Sequence, residues 1–210
     1  MVSLNEILRT SVSRHSHLCA RQVLGARIGL AGAQAVGLEP PVLNKRLLVI
    51  LETDGCFADG IEAATGCSVG HRTLRIQDYG KIAATFVDIG QGSAVRVAPL
   101  LDVRDRAAAY APGEPRHYFA QLTAYQAMPD VELFSIQEVS LSVPIEALLS
   151  RPGVRVDCDL CGEEIINGRE VQQAAMTLCQ ACARGAYYHA APLEVPIAVF
   201  DLGPVVNRQS

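Results

Sequence analysis

Cys158-Asp-Leu-Cys161, followed 17 residues later by Cys179-Gln-Ala-Cys182, gives the chain a C-x2-C-x17-C-x2-C stretch. Each C-x2-C pair folds as a tight knuckle that aims two thiolates at one ion, and the intervening residues return the second knuckle to the first. Four thiolates fill a tetrahedral zinc and leave no open position, so the spacing predicts a structural zinc held by Cys158, Cys161, Cys179 and Cys182.

The organisation of the chain follows outward from this stretch. Asn167-Gly168 predicts the hairpin turn between the knuckles. Met176 to Tyr188 should carry the second knuckle into a short helix. Pro152-Gly153 marks a boundary, which predicts a core domain over 1–152, a zinc module over 153–190 and an apolar extended arm over 191–210. Arg151, Arg155, Arg169 and Arg184 lie in or near the module, where they offset the formal charge of a zinc tetrathiolate.

The full chain has 210 residues, half of them hydrophobic and 19% charged, with a net charge of −4. That supplies ample material for a core and no electrostatic reason to expect nucleic-acid binding, which rests on phosphate neutralisation. No apolar run is long enough to span a membrane, and the N-terminus lacks a secretory pattern. Seven cysteines, four of them at metal spacing, argue against a disulfide framework and for a reduced, cytoplasmic setting.

In the core, residues 3–14 predict an amphipathic helix. Residues 18–35 predict a second helix, whose Gly25, Gly29 and Gly32 imply close packing on a flat neighbour, since three glycines weaken intrinsic helicity. Leu47 to Glu52 reads as a central strand. Asp59 is a candidate N-cap for a helix through Ala64 that ends at Gly66. Leu74 to Gln77, Ile82 to Val87 and Ala94 to Pro99 predict an antiparallel meander. Leu101 to Ala111 and His117 to Ala127 read as helices, Leu133 to Val143 as a strand, and Ile145 to Leu149 as a helical turn. The expected fold class is α+β: an antiparallel-rich sheet packed with helices, then a small four-cysteine zinc-binding module.

The three remaining cysteines carry the functional question. His15, His17 and Cys19 alternate before a helix, so their side chains can converge, and a cysteine at a helix start sees the positive dipole end. Glu52-Thr-Asp54-Gly-Cys56 follows the apolar strand, with Gly55 bending the loop that presents Cys56. Asp54 is a candidate to ligate a metal, to orient a histidine or to act as a base. Cys67 and His71 form a weaker ligand pair, and Lys81 lies in the turn Asp78-Tyr-Gly-Lys81.

Together these residues resemble the formylmethanofuran dehydrogenase E-subunit family. The resemblance runs through His15-Ser-His17-Leu-Cys19, Glu52-Thr-Asp-Gly-Cys56-x2-Asp59, Thr65-Gly-Cys67-Ser-x-Gly70, Asp78-Tyr-Gly-Lys81 and the C-terminal cysteines. One departure is Ala20-Arg21, where the family often has Pro-Gly. The resemblance implies an α+β core with a zinc-ribbon or treble-clef-like module, commonly dimeric. It also implies a core metal or active site carried by His15, His17, Cys19, Cys56 and Cys67, with Asp54 nearby.

Two functions follow as expectations. One is an accessory protein to a molybdenum or tungsten enzyme, with a structural zinc and a second core metal, taken as zinc. The other is an enzyme on a small molecule. In that reading either His17, Cys19 and Cys56 hold a catalytic metal while Asp54 or His15 moves protons, or Cys19 or Cys56 is the nucleophile with His17 as base. The glycine-rich helix and apolar tail favour a homodimer.

Overall fold

A computed structural model describes residues 2–13, 17–149 and 151–189, so His15 and the arm over 191–210 lie outside the described residues. The chain divides into two compact units, Met1–Leu149 and Ser150–Ser210.

The first unit opens with α1 (Leu4–Val12), started by a capping box in which Ser3 and Glu6 satisfy each other's backbone N–H groups. Then come α2 (Ala20–Ala35), β1 (Leu47–Leu51), α3 (Cys56–Thr65), β2 (Leu74–Ile76), β3 (Ala84–Asp88) and β4 (Ala94–Pro99). Next are α4 (Val103–Tyr110), α5 (His117–Ala127), α6 (Asp130–Leu133), β5 (Phe134–Glu138) and α7 (Ile145–Leu148). The strands form one sheet in the order β2-β1-β3-β4-β5.

The fold is α+β with an antiparallel-rich sheet, as the sequence predicts. Two details differ. The first strand of the expected meander, β2, does not pair with β3; it lies parallel to β1 at the edge, Val49 opposite Leu74. The crossover through α3 permits this, because a parallel neighbour needs a connection long enough to return the chain. Consequently β1 is interior but second from the edge, and β3 is the middle strand.

Period-2 alternation splits the strand residues between two faces. Leu47, Val49 and Leu51 of β1, Phe86 of β3 and Val95 and Val97 of β4 enter the main core with α1, α2, α3 and α5. Leu48, Val87 and Ala94 face the other way, under Ile145 and Leu148 of α7.

The helix α2 is buried on most sides, and its glycines explain how. A Cβ on Gly25 would stand 2.2 Å from the Phe57 carbonyl oxygen and 3.1 Å from Gly60 Cα. At Gly29 it would meet Ala64 Cβ at 2.8 Å, and at Gly32 it would strike the Phe86 ring at 2.2 Å. Only the last contact is with the sheet; the first two are with α3. Matched pairs Gly25 with Gly60 and Gly29 with Ala64 mean that α2 and α3 run side by side in the same direction, so their N-termini share one end.

The second unit holds β6 (Arg155–Asp157), β7 (Glu164–Ile166), β8 (Val171–Gln173), β9 (Met176–Leu178) and α8 (Gln180–Arg184). β6 pairs with β7 and β8 with β9, both antiparallel. Asn167 and Gly168 do adopt positive φ, at 67° and 65°. Their turn, however, links two different hairpins; the β8–β9 turn itself is Ala174-Ala175, also at positive φ.

Candidate metal centre and core thiol pair

In the second unit the sulfurs of Cys158, Cys161, Cys179 and Cys182 all lie within 4.8 Å of one another. Cys161 Sγ and Cys179 Sγ are 4.0 Å apart. Sulfurs on a tetrahedral zinc at about 2.3 Å stand roughly 3.8 Å from each other, so the cluster has the size such an ion requires. Backbone N–H groups already point at the sulfurs: Cys179 N donates to Cys158 Sγ and Cys182 N to Cys179 Sγ, each at 3.3 Å.

Local chemistry builds this geometry. Gly162, at φ 75°, closes the first knuckle, and its N–H donates to the Cys158 carbonyl at 2.9 Å. Asp159 joins the two hairpins by accepting from Thr177 N at 2.6 Å. Cys179 caps α8, placing Cys182 one turn later. Backbone donors from Cys161 and Cys179 lower the Cys158 thiol to about 6, whereas the neighbouring Cys179 thiol and burial push Cys182 up to about 12. Four thiols this close cannot all ionise without a cation among them. Among the described residues the apolar core of the unit is Cys158, Ile165 and Leu178 with a few half-buried neighbours, so a metal fits both the donor set and the folding need.

The core unit brings Cys19 and Cys56 together. Cys19 is the N-cap of α2 and Cys56 the first residue of α3. Because these helices run in the same direction from one end, the two thiols are neighbours. Burial, then the Cys19 thiol, then Asp59 push the Cys56 thiol up. Tyr118, in the first turn of α5, lies near both; its phenol is pushed up by burial and then by the two sulfurs. Its ring meets Phe119 edge-on at 5.2 Å, and the Arg116 guanidinium sits 4.0 Å over Phe119.

Gly55 shapes the loop before Cys56. Its φ of 71° and ψ of −152° belong to a region essentially restricted to glycine. Helix α3 therefore begins at Cys56, and Asp59 lies in its first turn instead of capping it. Asp54 is exposed beside this loop, and His17 is exposed two residues before Cys19. Glu52 anchors the neighbouring loop: its carbonyl accepts from Tyr79 N and Lys81 N at 2.9 and 3.1 Å. Its carboxylate takes a two-pronged contact from Arg96 at 2.5 and 2.7 Å. Lys81 itself is exposed in that turn.

Cys67 does not join the pair. It follows Gly66, the C-cap of α3, and so sits at the opposite end of the ten-residue helix from Cys56, roughly 15 Å along the axis. Its thiol is buried and donates to the Leu47 carbonyl at 3.5 Å, while His71 is exposed. Among the described residues, the four-cysteine cluster alone gathers three or more His, Cys, Asp or Glu donors. Tyr118 and Gln22 escape a reading of the sequence, because a lone tyrosine or glutamine carries no spacing signal.

Residues 14–135 match the family described as FmdE, molybdenum formylmethanofuran dehydrogenase operon. The chain belongs to the FmdE family. The matched segment of this FmdE chain contains Cys19, Cys56 and Cys67 and stops before the four-cysteine module. A crystal structure of a tungsten formylmethanofuran dehydrogenase FmdE-like protein from Syntrophus aciditrophicus shares the fold, with a TM-score of 0.58 and 20% identity. That similarity covers 90% of this chain and 96% of the other. A probable S-adenosyl-L-methionine-binding protein of Archaeoglobus fulgidus is 32% identical over 97 residues, which is 45% of this chain. The FmdE chain spans only 26% of that relative's length. No helix among the described residues is long and apolar enough to cross a membrane.

Proposed function

We propose that this FmdE-family chain is a zinc-binding accessory protein of a molybdenum or tungsten formylmethanofuran dehydrogenase, acting in the cytoplasm as a homodimer. Cys158, Cys161, Cys179 and Cys182 hold a structural zinc that cross-links the two hairpins of the second unit. A second metal, also zinc, would be held in the core by Cys19 and Cys56, with His17 and His15 as candidate imidazole donors and Asp54 two residues before Cys56. Cys67 is left out of this ligand set.

The observation that carries the metal-binding reading is the gathering of four sulfurs within 4.8 Å. Two adjacent thiols at the core support the second site, since soft sulfur and imidazole donors suit zinc. Bound there, the metal supplies a Lewis-acidic centre or is itself the cargo delivered to the larger enzyme. Elemental analysis of protein purified without added metal tests the reading. Wild type should carry two equivalents of zinc per chain, and Cys56→Ser should carry one. An unchanged ratio in Cys56→Ser removes the core site from the proposal.

A second reading is favoured by the half-buried Cys56, which solvent reaches while Cys19 is nearly closed off. In it the core site is that of an enzyme acting on a small molecule, with Cys19 or Cys56 and His17 or Asp54 as the reacting groups. Turnover that persists in metal-free protein would favour that reading over the accessory one.

A further inference from the structure

Gln22 is fully buried, and the bulk properties of the chain give no reason for a polar side chain there. Its surroundings do. The Gln22 backbone N–H donates to Cys19 Sγ at 3.4 Å, and Gln22 Oε1 accepts from the Cys19 backbone N–H at 2.8 Å. This is a capping box with a cysteine in the place usually held by serine or threonine. The remaining end of the carboxamide, Nε2, donates to the Ser11 carbonyl of α1 at 3.4 Å.

The backbone of Gln22 is pinned as well. A Cβ on Gly60 would stand only 2.3 Å from the Gln22 carbonyl oxygen, so α3 presses directly on this residue. One residue thus ties together the end of α1, the start of α2 and the crossing with α3, and the Cys19 sulfur is its fourth contact. A hydrophobic residue of equal volume would fill the space, but it would orphan the Cys19 N–H and leave the backbone N–H of residue 22 as the remaining half of the capping box.

We propose that Gln22 is a positioning residue: it fixes the Cys19 sulfur in the orientation from which it meets Cys56 and a core metal. The inference rests on the reading of Cys19 and Cys56 as a metal site. Groups that orient ligands in this way typically contribute about 10- to 100-fold to metal affinity.

The test uses the full chain, with zinc affinity of the core site measured by chelator competition and cobalt(II) as a spectroscopic probe. Gln22→Met keeps the volume and removes both side-chain hydrogen bonds; Gln22→Glu keeps an acceptor for the Cys19 N–H. The Met variant should bind core zinc about tenfold more weakly and lose sulfur-to-cobalt charge-transfer intensity, with the four-cysteine zinc unaffected. The Glu variant should retain more of both. Wild-type affinity and spectrum in a folded Gln22→Met protein would overturn the proposal, as would equal losses in the two variants. If the Met variant does not fold, the Glu variant decides alone: near-wild-type affinity supports the clamp, and a tenfold loss overturns it. Cys56→Ser separates the two levels. Loss of its core zinc with an unaffected Gln22→Met sinks only the role of Gln22, whereas no loss sinks the site itself.

Discussion

Gly25 and Gly60 meet at the crossing of α2 and α3 with so little space that a Cβ on Gly25 would stand 3.1 Å from Gly60 Cα. That contact sets the distance between two helices that begin at Cys19 and Cys56. The reciprocal position is tighter still, because a Cβ on Gly60 would stand 2.3 Å from the Gln22 oxygen and 2.7 Å from Ala26 N, both backbone atoms that cannot rotate away. Gly60→Ala should therefore force the helices apart and destabilise the core by about 3 kcal/mol, the upper range for overpacking. The thermal midpoint should fall by roughly 10 °C. Under the proposed two-site reading, zinc binding at the core should weaken while that at the four cysteines stays. A Gly60→Ala protein with wild-type stability would show that the crossing is looser than its geometry.

The second unit should behave differently under substitution. Its apolar core is small among the described residues, so under the proposed structural role its folding should depend on the metal, which supplies on the order of 10 kcal/mol in comparable zinc modules. Cys158→Ser should lose one zinc equivalent and the amide protection of residues 155–184, while Met1–Leu149 keeps its own melting transition. Treatment with a strong chelator should reproduce the same pattern. A Cys158→Ser protein with full zinc and unaltered protection of that segment would refute the structural assignment.

How much of this is legible in the sequence depends on whether a signal is local. The four-cysteine cluster is readable because knuckle spacing is a local constraint, and so is the end of α3 at Gly66, where only a positive φ suits the cap. Pairing partners are not. Leu74 to Gln77 alternates like any strand, and nothing in that pattern says that it pairs parallel with β1 instead of antiparallel with β3. Asn167-Gly168 marks a turn but not which strands it joins, since Ala174-Ala175 closes a hairpin in a conformation alanine seldom adopts. In the core, three cysteines look alike in sequence. The same-direction packing of α2 and α3 separates them, gathering Cys19 with Cys56 and leaving Cys67 at the far end. Gly25 and Gly29 of α2 and Gly60 of α3 are the trace of that packing in the sequence, and they tell of a close neighbour without naming it.

Asp88 gives the core a defined acid response. Its side chain is fully buried and accepts from Arg46 at 2.8 and 2.7 Å and from Gly90 N at 2.9 Å. The Arg46 guanidinium beside it holds its carboxyl below the usual carboxylate range. A carboxylate with a lowered native value binds fewer protons folded than unfolded, so its contribution to stability is present above about pH 4 and is lost as pH falls through the native value. Asp88→Asn should flatten the decline of the thermal midpoint below about pH 4 relative to wild type. Arg46→Met should lower the midpoint at neutral pH, because it leaves a buried carboxylate without its cation. Parallel acid profiles for wild type and Asp88→Asn would show that other carboxylates govern the acid limb.

The pH dependence of Cys56 alkylation separates the readings of the core site. Burial first, then the Cys19 thiol, raise Cys56 above the ordinary thiol range. Only the thiolate reacts, so at neutral pH metal-free protein should alkylate slowly at Cys56. Its rate, followed by peptide mapping, should reach half-maximum at a higher pH than a free cysteine in the same buffer. Cys19→Ala removes the neighbouring thiol and should move that midpoint down, though not to the free value, because burial remains. Added zinc should suppress the reaction at all pH values if Cys56 is a ligand. A midpoint below that of free cysteine would instead mark a thiolate already formed without metal, the condition a nucleophilic cysteine requires. That outcome would move the core site from metal binding to covalent catalysis while leaving the four-cysteine centre unaffected.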